Sequence, residues 1–392
     1  MSNADRVGLA FFEETTWGEL PGSAPTLQDL RFVSESLAQE TGTTRSPEIR
    51  DDRQTSHVHR TSVNASGDIN FELSFDGFDA FLSAALGSAD FTPDDSVTSD
   101  DTDVVFVAAT SQINSMGAFP SVPAVGSWIK VSGAAEDANN GFFRVTSSSS
   151  TSIEVHVPAG TLVDETPGAS VTILEGGQAV NGVAHRSFGI ERTYEDLVSA
   201  DRFVYYLGMM VDTLSLSIAS ESIISGVLGF RGKTENDGGG STIGDGSNIA
   251  APSNIVMNTV DHVAQIREGE SGIGVLSFDI NTANNLRLRP EVASLGPISL
   301  GKGKFTASGT LQAYFTTKAL LDKYLNFTTT SLELAVTDIA GNSYVFEMPS
   351  VKFTQGRRVT GGENTDIIAD LQWEAFMDSS LGYTMKIAKF AA

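Results

Sequence analysis

Polar and apolar residues alternate strictly from Asp68 to Phe75. Ile69, Phe71, Leu73 and Phe75 point one way, and Asp68, Asn70, Glu72 and Ser74 the other. That is the period of a strand with one buried and one wet face. The period then changes: Phe78, Phe81, Leu82 and Ala85 recur at helical spacing. Asp76 is positioned to cap the helix and Gly87 to take the left-handed position beyond its end. The stretch 66–87 therefore predicts a strand, a tight junction and a short amphipathic helix.

The pattern returns 242 residues later. Gly67 falls on Gly309, Ile69 on Leu311, Phe71 on Ala313 and Leu73 on Phe315, with Thr310, Gln312, Tyr314 and Thr316 on the wet side. Phe78, Leu82 and Ala85 fall on Leu320, Tyr324 and Phe327. A second likeness, Ile223–Val227 to Ile367–Leu371, has an offset of 144. Both offsets fit one unit present twice, with about a hundred extra residues inserted in the first copy. The expected boundaries are 1–88 and 183–250 for the first unit, 89–182 for the insertion and 251–392 for the second unit.

Residues 1–31 read as an irregular arm that covers the chain's own core or docks on a neighbouring subunit. Residues 32–65 read as a long polar loop. They hold Arg45, Arg50, Arg53 and Arg60 beside His57 and His59. His57-Val58-His59 would place two imidazoles on one strand face, but no third ligand accompanies them, so no metal is expected. The insertion opens with Asp90, Asp94, Asp95, Asp100, Asp101 and Asp103, which lack the spacing of a calcium loop and read as a solvated linker. Short strand candidates follow at 104–108, 128–132, 142–146, 153–157 and 171–174. Turn signals at 138–141 and 158–160 separate them, which describes a small all-β module. Residues 233–248, rich in Gly and Asp, read as a mobile loop or linker. Strands are expected at 187–192, 275–280, 302–315, 332–337, 344–348, 349–353, 366–376 and 383–390, with a hairpin turn at Ala340-Gly341-Asn342.

Composition narrows the classes. The 392 residues include 38 Gly and many Ser and Thr, which together with the short alternating runs makes the chain mainly β. No cysteine is present, so disulfides, thiolate zinc sites and cysteine nucleophiles are excluded. The first residues lack a basic start and an apolar core, so no signal peptide is expected. No apolar run approaches membrane-spanning length. Formal net charge is −24, from 49 acids against 25 bases; a protein that grips nucleic acid needs the opposite balance. The five histidines are scattered, and neither a Gly-x-Ser-x-Gly elbow nor a phosphate-cradling loop occurs. No enzyme activity and no cofactor are expected.

Several segments together resemble the major tail tube proteins of long, non-contractile (siphovirus-like) bacteriophage tails. They are Phe32–Leu37, Gly67–Gly87, Leu207–Asp212, Ser277–Ile280, Gly301–Phe315 and Gly362–Ile368 with Trp373–Ala375. The resemblance implies two β-sandwich or barrel-sector units, each with a short helix. It implies rings whose strands join into one barrel, stacked into a tube that conducts the genome. Single-unit relatives form hexameric rings, so two units per chain imply three chains per ring. By the same resemblance the partners are other copies of this chain, a tail terminator and the tail tip and tape-measure proteins. Genomic DNA is a cargo that does not stick, and no membrane is involved. The location is the virion tail, with assembly in the host cytoplasm. Asp68, Asn70, Glu72 and Ser74, with Thr310, Gln312, Tyr314 and Thr316, are then expected to face the lumen. A rival reading is a β-rich adhesion protein that binds a host glycan or receptor through exposed aromatics of the module, such as Trp128, Phe142 and Phe143.

Overall fold

A computed structural model describes residues 3–92, 96–157, 161–198, 201–269 and 271–392. Asp94, Asp95 and the turn expected at 158–160 lie outside the described residues, as do the side chains of 96–101.

The chain opens with β1 (Val7–Glu13), β2 (Gln28–Leu30), β3 (Ser34–Glu35), β4 (Ala38–Arg45), β5 (Val58–Glu72) and α1 (Asp79–Leu86). The expected irregular arm thus contains a core strand. Leu9, Ala10, Phe11 and Phe12 are all buried, and a strand covered on both faces shows no alternation to read. The expected loop over 32–65 is largely the hairpin β4–β5. Its outer part, β4 and β5 as far as Ser62, is exposed on both sides apart from half-buried Gly42, which again removes the periodic signal. α1 ends as expected, with Gly87 left-handed at φ 66° and its N–H bonded to the Ala84 carbonyl. Asp76 does not cap it; Asp76 has positive φ and its carboxylate ion-pairs with Lys389 at 2.6 Å.

Seven strands follow as a separate sheet: β6 (Ser96–Asp101), β7 (Val104–Val107), β8 (Gln112–Ser115), β9 (Trp128–Ser132), β10 (Gly141–Ser148), β11 (Ser152–His156) and β12 (Val171–Glu175). This module has its own core, which includes Phe106, Ile129, Phe143, Val145 and Ile173. The chain then returns to the body through β13 (Gly177–Val180), β14 (Phe188–Tyr194), β15 (Phe203–Ala219), β16 (Ser225–Gly232) and β17 (Thr234–Asp237). The segment expected to be a mobile linker therefore begins as a strand. Beyond it Ile243, the apolar residue of the run, packs with Ala10, Phe12, Leu27 and Leu207. Its N–H donates to Glu191 at 2.7 Å.

The remainder comprises β18 (Val263–Glu268), β19 (Ser271–Gly272), β20 (Val275–Ala283), β21 (Arg287–Arg289), β22 (Ser299–Gly301), β23 (Thr306–Tyr314), α2 (Ala319–Leu325), β24 (Thr330–Thr337), β25 (Ser343–Thr360), β26 (Ile367–Ala375) and β27 (Lys386–Phe390). The strands expected at 344–348 and 349–353 are one strand, β25, despite Pro349. The chain is mainly β, with two short α-helices among the described residues.

One succession of antiparallel pairings occurs twice. In the first, β3 and β4 pair in turn with β5, β5 with β16, and β16 with the second half of β15. The first half of β15 pairs with β14, and β14 with β1. In the second, β20 pairs with β23, β23 with β26, and β26 with the second half of β25. The first half of β25 pairs with β24, and β24 with β18. Irregularities recur too. β15 is bulged between Val211 and Thr213 as β25 is between Phe353 and Gln355. Phe230 faces Gly67 as Trp373 faces Gly309. The ladders match Leu228 to Leu371, so the offset in this region is 371 − 228 = 143, one less than the sequence likeness suggested.

The two sets are joined edge to edge. β15 pairs with β20 from Thr213–Ala283 to Ala219–Ser277. The result is one continuous run of eight strands in the order β3/β4, β5, β16, β15, β20, β23, β26, β25. The apolar side of this run, including Ile69, Phe71, Leu214, Leu228, Phe278, Leu311 and Trp373, belongs to one core shared by both sets.

Candidate functional site

The opposite side of the eight-stranded run is an extended polar surface. Because directly paired residues share a face, the registers fix its rows. One row reads Asn70, Val227, Ser215, Asn281, Ser308, Glu374 and Lys352. The next reads Glu72, Ser225, Ser217 and Asp279, then continues through Thr310, Gln372 and Gln355. The link between its halves is a side-chain bond: Thr310 Oγ1 donates to Asp279 Oδ2 at 2.5 Å, while Ser217 Oγ donates to Oδ1 at 2.9 Å.

The face consists mainly of hydroxyls, amides and carboxylates, and its bases are engaged. Arg357 is paired with Asp370 at 2.7 Å and Arg231 with Asp212 at 2.8 Å. The Lys352 ammonium lies 4.2 Å from the centre of the Phe327 ring. Glu40, at the outer edge, accepts from Ser66 Oγ at 2.6 Å and Asn64 Nδ2 at 3.0 Å. These two bonds hold its carboxyl below the usual glutamate range, so it stays charged at neutral pH.

Six of the eight sequence-nominated residues, Asp68, Asn70, Glu72, Thr310, Gln312 and Tyr314, fall on this face. Asp68 is exposed, and Asn70, Glu72, Thr310 and Gln312 are half-buried. Tyr314 is exposed, and Thr316, just past the end of β23, is exposed beside it. Ser74 is buried, because the segment carrying Val256 bridges to it; it does not line an open surface. The two nominated strands are not adjacent but are separated by β16, β15 and β20. The polar residues of those strands were not nominated, although the Ser-Leu alternation of 213–218 carries the same period-two signal. β26 was expected as a strand, but its polar residues Asp370, Gln372 and Glu374 were not nominated either.

The His57 and His59 rings lie 5.8 Å apart, and no group of three or more metal-ligating side chains occurs among the described residues. No helix among them is long and apolar enough to cross a membrane.

The module does not present its aromatics to solvent. Trp128, Phe142 and Phe143 are all buried. Phe143 lies in the module core, while Trp128 and Phe142 pack against Ala335, Val345, Ala388 and Phe390 of the second strand set. At the centre of that contact Glu347 accepts from Trp128 Nε1 at 2.7 Å and Tyr383 Oη at 2.8 Å. Arg144 ion-pairs with it at 2.8 Å. Lys130 and Lys386 donate to the Gly341 and Gly126 carbonyls at 2.6 Å each, one from each side. Of the aromatics that would have supported glycan binding, Trp128 and Phe142 are thus spent on docking and Phe143 on the module core.

The family model described as phage tail tube protein matches residues 4–375. No curated protein matches the chain.

Proposed function

The chain belongs to the phage tail tube protein family, and from that premise we propose that it is the structural subunit of the tube in a long, non-contractile tail. Its two strand sets act as tandem tube units, 1–88 with 183–250 and 251–392, and the module inserted between them decorates the outside. Three chains form a ring, and rings stack into a tube. The observation that carries this reading is the eight-stranded run itself. Its polar face crosses both sets without a break, and each end leaves a strand edge with no strand partner among the described residues. Three such runs, 24 strands in all, would close a barrel wide enough to leave an aqueous channel. Closure also removes the open edges that otherwise template aggregation. Contacts that close laterally and repeat along an axis grow into a filament.

In this arrangement the polar face lines the lumen. Asp68, Glu72, Asp279 and Glu374 present negative charge to it, and hydroxyls and amides fill the rest. Phosphates near the wall are repelled over a range of about 8 Å at physiological salt, so DNA passes without binding. The role is structural rather than catalytic. The terminator at one end of the tube and the tip and tape-measure proteins are its further partners, and assembly takes place in the host cytoplasm.

The experiment is direct. The purified protein, concentrated and viewed by negative-stain microscopy, should give hollow rings or tubes. Particles that stay single chains at every concentration would count against the reading.

A further inference from the structure

The chain carries a template for its own contact with the next chain. This inference rests on the ring reading above. At the internal junction β15 lies against β20. Their counterparts, judged by partners on β16, β26, β5 and β23, are β25 and the β3–β4 edge. Those two edges end the eight-stranded run. We infer that the second half of β25 in one chain pairs antiparallel with β3–β4 of a second copy, in the register of the internal junction. Transferring Thr213–Ala283, Ser215–Asn281 and Ser217–Asp279 gives Gln355 opposite Glu40, Arg357 opposite Ala38 and Val359 opposite Ser36 of the other copy.

Three observations support this. First, the free edge holds substitutes for a missing strand. At the internal junction Asn284 N donates to the Asp212 carbonyl at 2.7 Å and Ser220 N to the Leu276 carbonyl at 2.9 Å. The alternation of an antiparallel ladder then makes Leu214–Thr282 and Leu216–Ile280 the hydrogen-bonded pairs. Their counterparts on the edge are Gln39 and Leu37. There, Leu37 N donates to Glu35 Oε2 at 2.8 Å and Gln39 N to Glu235 Oε2 at 3.0 Å. The Leu37 carbonyl accepts from Arg192 Nη2 at 2.6 Å and Tyr206 Oη at 2.9 Å. Carboxylates thus occupy the positions that carbonyls of a neighbouring strand would take, which keeps the edge from pairing indiscriminately.

Second, the two edges are complementary in charge. β25 brings Arg357, which also pairs with Asp370, and Arg358, and the other edge carries Glu40, Glu235 and Glu35, the last also paired with Arg192 at 2.5 Å. In the transferred register Arg357 lies diagonally beside Glu40, and Arg358 beside Glu35, positions at which opposite charges attract. Third, the hairpin beyond each edge differs in its surroundings. β21–β22, beyond β20, is packed on the first strand set through Leu286 and Leu300 against Met210 and Trp17. Its counterpart at the tip of β4–β5 joins no buried cluster among the described residues, and Val58 there is exposed.

The absence of cysteine allows a clean test. Ala38→Cys with Arg357→Cys puts the thiols at a non-hydrogen-bonded pair, where Cα atoms lie about 4.5 Å apart and a disulfide fits. Oxidised assemblies should give covalent dimers and trimers on a non-reducing gel, at least tenfold more than the displaced pair Ser34→Cys with Arg357→Cys. Glu40→Cys with Gln355→Cys is a second in-register pair, should the first fail to fold. Ser215→Cys with Asn281→Cys should close within one chain and give no ladder. Rings in which the in-register pairs cross-link no better than the displaced pair would overturn the register alone. Failure of the unsubstituted protein to form rings would overturn the tube reading and this contact with it.

Discussion

Gly67 and Gly309 occupy the same point in two ladders, and each has a carbonyl of the adjacent strand, Ser36 or Asp279, where a Cβ would stand. In both ladders the adjacent strand departs from regular pairing there, so the backbones approach more closely than a side chain allows. Gly67 also has φ 145°, a region that L side chains rarely adopt. Alanine at either position should destabilise the chain by about 2–3 kcal/mol, since neither backbone carbonyl can retreat cheaply. Thermal unfolding of the two variants checks this; a melting temperature unchanged in either would mean that the strands separate there without cost.

Glu347 ties the module to the body. It is fully buried, and its loss would leave Arg144, which is mostly buried, without its counter-charge. Glu347→Gln should cost about 3 kcal/mol and loosen docking before the module core melts. Hydrogen exchange should then quicken in β9 and β10 on the docked side and stay slow in the module interior around Ile153. Equal protection in both forms would argue that apolar contact alone holds the module.

Lys386 makes that docking pH-dependent. Burial pushes its pKa down to about 8, with Glu347 and Glu175 opposing and Arg144 reinforcing the shift. Between that value and the ordinary 10.5 the unfolded chain binds more protons than the folded one, so stability rises with pH through this window. The rise attributable to this residue is at most about 3 kcal/mol. Urea unfolding of the protein and of Lys386→Met from pH 7.5 to 10 isolates it by difference. Parallel curves for the two proteins would remove Lys386 as the cause.

The lining reading predicts a kinetic effect without a structural one. Asp68→Lys with Glu72→Lys replaces repulsion by attraction on the polar face, so DNA should leave virions several-fold more slowly while tube length and diameter stay unchanged. The difference should shrink as salt rises. Ejection followed by dye fluorescence measures it, and identical rates at low salt would mean that these side chains face away from the DNA.

The parts of this fold that could be read beforehand are those with one wet and one dry face. β5, β23, α1 and the Gly87 terminator were legible because Ile69, Phe71 and Leu73 are buried while Asp68 stays in water. β1 was not, because Leu9 to Phe12 are covered on both sides. The outer part of the β4–β5 hairpin, β4 with Val58 to Ser62, was missed for the opposite reason, as both its faces meet solvent. The joining of the two strand sets through Ser215 and Asn281 is a long-range register that no local pattern encodes. The docking role of Trp128 and Phe142 was hidden as well, because an aromatic on a module surface looks alike in sequence whether it meets a ligand or the rest of its own chain.

The account turns on two strand sets per chain closing a barrel with sister chains. Cryo-electron microscopy of purified tubes measures this most directly, through the rotational symmetry of one ring. The account predicts threefold symmetry, six similar sectors supplied in pairs, and β25 of each chain against β4 of the next. Six chains per ring, or a ring in which the eight-stranded runs do not join edge to edge, would contradict it.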